Sequence, residues 1–248
     1  KVPKLNPSWP METELSFIIP CHNVMRYAGR LKSTVLQLAE KGRPVILVEN
    51  NSGDETLQFL QDELAAMQAC VLTTDKVGAP SARNMGLEHV KTNFVKFLDA
   101  DDVPILQQVS EHLDYVKSHV ADFSTSLHFS AKTGSHFDVN FRLPFNNNVG
   151  QAILQGNIGV TSGAIFRKDA LARVGGFSAE LSSNQERDLY WRLFRTGAKY
   201  VSFPCFTFIK YLNEKGISST VGKEEKQSNI NALNKEISAY FAENKALN

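Results

Sequence analysis

Cysteine is scarce in this 248-residue sequence: Cys21, Cys70 and Cys205, widely spaced and odd in number. No CxxC pair occurs, so neither a zinc site nor a disulfide framework is suggested, and a reducing compartment suits the chain best. Long apolar runs are missing. A stretch such as LSFIIP at 15–20 is far too short to span a bilayer, and no segment of signal-peptide shape opens the sequence. The expected localisation is cytoplasmic, with peripheral contact at a membrane left open. An excess of one charge sign is also missing, since 27 Lys and Arg face 26 Asp and Glu for a formal charge of +1. That argues against general nucleic-acid affinity, which needs a basic surface to neutralise phosphates. It leaves room for a local pocket that takes a small phosphate.

Hydrophobic residues make up 42% and charged residues 21%, enough for one large α/β domain with a real core. Residues 1–14, rich in proline and polar groups, read as an extended arm or expression remnant. From 15 onward, apolar runs at 15–20, 44–48, 70–72 and 94–98 predict strands. Between them, Leu31, Val35 and Leu38, then Leu57, Leu60 and Leu64, then a segment opened by Pro80, carry helical spacing. Alternating strands and helices predict a Rossmann-like, mostly parallel sheet flanked by helices. Val109, Leu113, Val116 and Val120 give a further helix; from 124 to 148 the pattern fades, and the stretch reads as a small irregular lobe. A strand at 163–167, a helix at 185–195 and a strand at 200–204 follow. Residues 221–248 form a helical tail striped by Ile230, Leu233, Ile237, Tyr240 and Phe241. The domain proper is 15–220, with a nucleotide-binding half at 15–105 and an acceptor half at 106–220.

In a parallel sheet, ligands bind beyond the carboxyl ends of the strands. The polar clusters CHN at 21–23, ENNS at 49–52 and DADD at 99–102 each follow a predicted strand, so all should open onto one rim. Crowded carboxylates suit a hard divalent cation, Mg²⁺ or Mn²⁺, which binds phosphate as well. An Asp-rich turn is the plain alternative.

Five segments in order, LSFIIPCHN, VILVENNSGDET, VGAPSARNMGLEHVKTNFVKFLDADD, GAIFRKDALARVGGF and QERDLYWRL, resemble the motif set of the family-2 glycosyltransferases, which have the GT-A fold. The resemblance spans about 15–219. It implies a nucleotide-sugar donor (a UDP-sugar favoured), a divalent metal, inversion at the anomeric carbon, and a glycan or lipid-linked acceptor. By the same match, Pro20, His22 and Asn23 line the nucleotide site, with Cys21 a small packed residue; His22 either stacks on a base or caps the turn. Glu49 and Asn50 read base and ribose, or else serve as turn residues. Gly78 and Arg83 belong to the motif before the acidic strand, with Arg83 holding Asp99 or reaching the donor. Asp99 and Ala100 lie at the ribose, Asp99 and Asp101 at the metal, and Asp102 binds metal through water or caps the next segment. Asn213 stands where a late His is usual.

Glu186 falls at the position of the catalytic carboxylate, and Asp188 is its competitor, unless Asp188 pairs with Arg192 at i,i+4. Trp191 reads as core, with a sugar platform as the alternative. Two other classes stay open: a GT-A module that binds nucleotide or glycan with weak or no turnover, and a sugar nucleotidyltransferase. The latter wants a glycine-rich basic loop after the first strand, where CHNVMRYAGR stands instead.

Overall fold

The computed structural model describes residues 13–132, 137–140, 149–212 and 222–245. The predicted arm at 1–12, parts of the predicted lobe, and Asn213 lie outside the described residues.

Strands β1 (Leu15–Cys21), β2 (Val45–Asn50), β3 (Cys70–Thr74) and β4 (Phe94–Phe97) run parallel in the order β3-β2-β1-β4. The crossover helices are α1 (Ala28–Glu40), a short α2 (Thr56–Phe59) and α3 (Ala79–His89). β1 alternates Leu15, Phe17 and Ile19 onto one face and Ile18 onto the other, and both faces are buried in separate apolar clusters. That is the pattern of a sheet covered on both sides. Pairing of β1 to β4 ends at Ile18, so Pro20 falls where β1 has only β2 beside it. Gly86 in α3 allows the helix to lie on the sheet, because a Cβ there would meet Ile18 Cγ2 at 2.5 Å.

The second half of the sheet is mixed. A short strand β5 (Val103–Pro104) and helix α4 (Leu106–Ser118) lead into β6 (Phe123–Lys132), β7 (Phe137–Asn140) and α5 (Val149–Gln155). A 3₁₀ turn (Thr161–Gly163), β8 (Ala164–Arg167), α6 (Lys168–Arg173), α7 (Gln185–Arg195) and β9 (Tyr200–Leu212) follow. β8 pairs antiparallel with β4 and β6, β6 runs parallel to β9, and β9 turns β5 into the far edge. Helix α8 (Lys223–Lys245) completes the described chain.

Four expectations need correction. Helix α4 ends at Ser118, so Val120 lies beyond it, exposed and at φ +48°. The stretch from 124 is not irregular throughout: residues 124–132 continue β6, in the interior of the sheet. Its serines and threonines hid the strand, and hydrogen bonds make their burial tolerable. Ser124 Oγ meets His112 Nε2 at 2.8 Å, Thr125 Oγ1 meets Tyr200 Oη at 2.6 Å, and Ser126 Oγ donates to Gly163 O at 2.9 Å. The second helix does not keep one face through Leu57, Leu60 and Leu64. After Phe59 it passes into a π turn, and this rotates the apolar stripe onto Phe59, Leu60 and Leu64 while Leu57 is exposed. The last strand extends well past Pro204, to Leu212.

The C-terminal stripe docks. Ile237 is fully buried, and Tyr240 and Phe241 pack around Trp191 and Phe194. Trp191 donates to Glu236 Oε1 at 2.9 Å, and Arg187 to Asn234 Oδ1 at 2.9 Å. Trp191 is thus core, as expected.

Candidate functional site

The parallel strands bring the predicted clusters to one rim, and hydrogen bonds stitch them together. After β1, His22 Nδ1 donates to Asn50 O at 2.7 Å, and Asn23 Nδ2 donates to His22 Nε2 at 3.0 Å. These partners fix the tautomer with hydrogen on Nδ1. Asn23, at φ +50°, donates its N–H to Ser52 Oγ and accepts from Gly53 N. After β2, Glu49 folds back onto its own turn, accepting from Ser52 N at 2.6 Å. The Asn50 amide accepts from Gly78 N at 2.7 Å and donates to Lys76 O, which ties β2 to the loop after β3. Gly78 has φ +110°, open to glycine and rare for other residues, and caps the start of α3 with Pro80 in the first turn. Glu49 and Asn50 therefore hold loops in place in this structure, and both are buried.

The acidic turn follows β4. Asp99 N donates to Ser162 Oγ at 3.0 Å. Asp99 Oδ1 takes the Arg83 guanidinium at 2.7 Å, and Lys210 Nζ stands 4.0 Å from Oδ2. Burial works against its charge, but Arg83 and then Lys210 outweigh that and hold the Asp99 carboxyl below the usual range. Ala100 packs inward, so only its main chain faces the rim. Asp101 is partly exposed, and its carbonyl accepts from Arg30, whose guanidinium stacks 3.5 Å over the Tyr211 ring.

Asp102 turns the other way. It is 1% exposed, accepts from Tyr211 N at 3.3 Å, and leaves its second oxygen without a partner among the described residues. Burial, with Asp99 and Asp101 nearby, pushes its carboxyl up to about 8. It anchors the turn from inside rather than reaching a ligand. Beneath it, Lys96 is fully buried with Nζ on Ser162 O at 2.6 Å, and burial pushes its ammonium down to about 7.

Helix α7 meets this rim through Arg83, which donates from Nη1 to Gln185 Oε1 at 3.1 Å while Nη2 holds Asp99. Gln185 and Glu186 open the helix after Asn184 in the left-handed region. Asp188 is engaged elsewhere. Arg192 grips it at 2.9 and 2.7 Å and also caps the carbonyls of Val174 and Gly176. Asp188 thus sits in the i,i+4 ion pair with Arg192 that its spacing allowed. Cys21 is fully buried, and burial raises its thiol, as a packed residue requires.

For a dication, Asp99 and Asp101 are the carboxylates that remain at the mouth. Among the described residues, no three His, Cys, Asp or Glu side chains form a cage. Mg²⁺ and Mn²⁺ fit such a site, because they commonly take one or two carboxylates and fill their shells with water and substrate phosphate.

Lys210 is the residue that motif reading missed. Burial opposes its charge, yet Asp102, Asp99, Asp101 and Glu186 together hold its ammonium above the ordinary lysine value. Its signal was a single lysine in the apolar run FTFIKYL, as Lys96 stands alone in FVKFL.

Comparison with known proteins agrees with this architecture. A pre-mycofactocin glycosyltransferase of Mycobacterium tuberculosis is 28% identical over 203 residues, covering 78% of this chain and 42% of its own. The Escherichia coli UDP-Glc:alpha-D-GlcNAc-diphosphoundecaprenol beta-1,3-glucosyltransferase WfaP is 24% identical over 118 residues, covering 48% of this chain and 47% of its own. The chain thus spans less than half the length of these two relatives. Among solved structures, Staphylococcus aureus TarS 1-349 with UDP-GlcNAc superposes with a TM-score of 0.69 at 17% identity, over 85% of this chain and 62% of that one. The mannosyltransferase PcManGT of Pyrobaculum calidifontis, with GDP-Man and Mn²⁺, gives 0.62 at 16%, over 86% and 61%. The fold is the GT-A-like α/β fold. The family profile "Glycosyl transferase family 2" matches residues 16–175, well over half the sequence, and the chain belongs to that family.

Proposed function

We propose that the chain transfers a sugar from a nucleotide-sugar donor to an acceptor hydroxyl, with inversion at the anomeric carbon. The observation that carries this reading is the relay Asp99–Arg83–Gln185, which joins the acidic turn to the start of the helix bearing Glu186. Pro20, His22, Asn23, Glu49, Asn50 and Gly78 form the nucleotide wall. Arg83, Asp99 and Ala100 lie on its ribose and diphosphate side. Asp99 and Asp101 would hold the divalent metal, which when bound neutralises charge on the diphosphate. The Glu186 carboxylate takes the proton of the acceptor hydroxyl. That oxygen bonds to the anomeric carbon from the face opposite the leaving group. The bond from the carbon to the diphosphate oxygen breaks, and its electron pair leaves with the nucleoside diphosphate.

A UDP-sugar is the favoured donor, in keeping with the UDP-GlcNAc bound by TarS. A lipid-linked or glycan acceptor is in keeping with the diphosphoundecaprenol substrate named for WfaP. Thermal-shift titration with UDP and GDP, with and without Mn²⁺, tests the donor. Stabilisation by one nucleotide is expected, because binding to the native state raises its melting point. Glu186→Gln should keep that shift and lose turnover by about 10²–10⁴-fold. Turnover unchanged in Glu186→Gln would remove the base, and no shift with any nucleotide would remove the donor reading. Binding without turnover in the wild type would favour the binding-module alternative.

A further inference from the structure

β5 pairs with β9 through Val103↔Ile209 and Pro104↔Phe208, and Tyr211 N reaches Asp102. This register sets residue 210 beside the turn at 99–102. The side chain is about one-third exposed at 31%. Among the described residues its ammonium has no hydrogen-bond partner, and its ion pair with Asp99 is long at 4.0 Å. Lys96 offers the contrast, being fully buried and spent on the Ser162 carbonyl at 2.6 Å.

Asp99 does not depend on Lys210 for neutralisation. Arg83 already holds the other carboxylate oxygen at 2.7 Å. Moving the ammonium from Asp99 to a better anion therefore leaves Asp99 still paired. A diphosphate arriving at Asp99 and Asp101 is such an anion. It carries more charge than one shared carboxylate and presents several strong acceptors to the three donors of an ammonium. The lysine stem is flexible enough for the short move.

We infer that Lys210 is a donor-binding residue whose ammonium passes from Asp99 to the diphosphate of the nucleotide sugar. Part of the affinity for nucleoside diphosphate is then carried by the protein itself, without metal. This rests on the donor reading above and goes beyond it in naming a second, protein-borne cation at the diphosphate.

The test uses the full chain and Lys210→Met. Wild type is first titrated with UDP and GDP in Mn²⁺; no binding there overturns the donor reading and this inference together. The nucleotide that binds is then titrated in EDTA. Wild type should keep measurable affinity, and Lys210→Met should lower it by about tenfold or more, the scale of one hydrogen bond to a charged group. Lys210→Arg should restore most of it. Affinity for the parent nucleoside should stay the same, and affinity for Mn²⁺ alone should not fall, because removing a cation from the rim can only favour another. Equal affinity of wild type and Lys210→Met in EDTA would overturn the inference while leaving the donor reading intact. So would an absence of metal-free binding in the wild type. A parallel loss of nucleoside, nucleotide and Mn²⁺ binding would mark Lys210 as structural and also overturn it.

Discussion

Lys96→Met isolates what it costs to place an amine inside β4. Lys96 is fully buried, and its Nζ donates to Ser162 O at 2.6 Å. Burial, opposed only in part by Asp102, pushes its ammonium from 10.5 down to about 7. A folded pKa below the unfolded one means that the unfolded chain binds the proton more tightly. Stability is then lost as pH falls towards 7 and regained as pH rises towards 10.5. With about 1.4 kcal/mol per pKa unit, the penalty below neutral pH is on the order of 5 kcal/mol. Methionine is of similar length, uncharged and adaptable, so it removes this penalty. It also removes the bond to Ser162, which costs about 1–3 kcal/mol if the carbonyl is left bare.

Asp102 does not become a stranded charge below neutral pH, because burial already pushes its carboxyl up to about 8. The variant should therefore exceed wild type by roughly 2–4 kcal/mol near pH ~6. At about pH 10 the wild-type amine is neutral and the penalty is nearly gone, so the order should reverse by about 1 kcal/mol or more. Urea unfolding of both proteins at the two pH values reads the difference, provided the m-values agree. A variant less stable than wild type at the lower pH, or a difference that ignores pH, would refute the reasoning.

Gly86→Ala should destabilise by about 1–3 kcal/mol, since its Cβ would press on Ile18 Cγ2 at 2.5 Å and on Val48 Cγ2 at 3.3 Å within the packed sheet face; an unchanged urea midpoint would mean that α3 lifts freely. Asp188→Asn should cost about 1 kcal/mol through the weakened Arg192 pair. It should leave turnover within about twofold; a fall like that of Glu186→Gln would put Asp188 in the chemistry.

The parallel half of the sheet was legible because its signals are local. Apolar runs of strand length, the helical spacing of Leu31, Val35 and Leu38, and Pro80 at a helix start all survive folding unchanged. β6 was not legible, because its burial rests on partners distant in sequence. Ser126 meets Thr207 and Gly163, and Thr125 meets Tyr200; no periodicity encodes such pairs. The π turn after Phe59 defeats spacing for a different reason, since one extra residue in a turn moves every later side chain around the axis. At the rim, residue type and order marked the turn at 99–102, but not the direction in which each carboxylate points. Direction is set by β9, more than a hundred positions away, through Tyr211 N on Asp102 at 3.3 Å.

That direction explains how three carboxylates share four positions. Two unit charges at ~4 Å repel by roughly 4 kcal/mol at an effective dielectric of ~20. The turn does not meet this with one device. Asp99 keeps its charge and shares it between Arg83 and Lys210. Asp102 is sealed inside, where burial favours its protonated form up to about pH 8. Asp101 stays partly in solvent with Arg30 on its carbonyl. The turn is thus stable before any metal arrives, because the inner carboxylate gives up its charge and the outer pair has cations beside it. Burial acts on Lys96 in the same way: it drives the ammonium towards its neutral form, with Asp102 opposing only in part. A buried amine and a buried acid, both close to neutral, hold the turn by hydrogen bonds and leave the net charge of the site to the residues at its mouth.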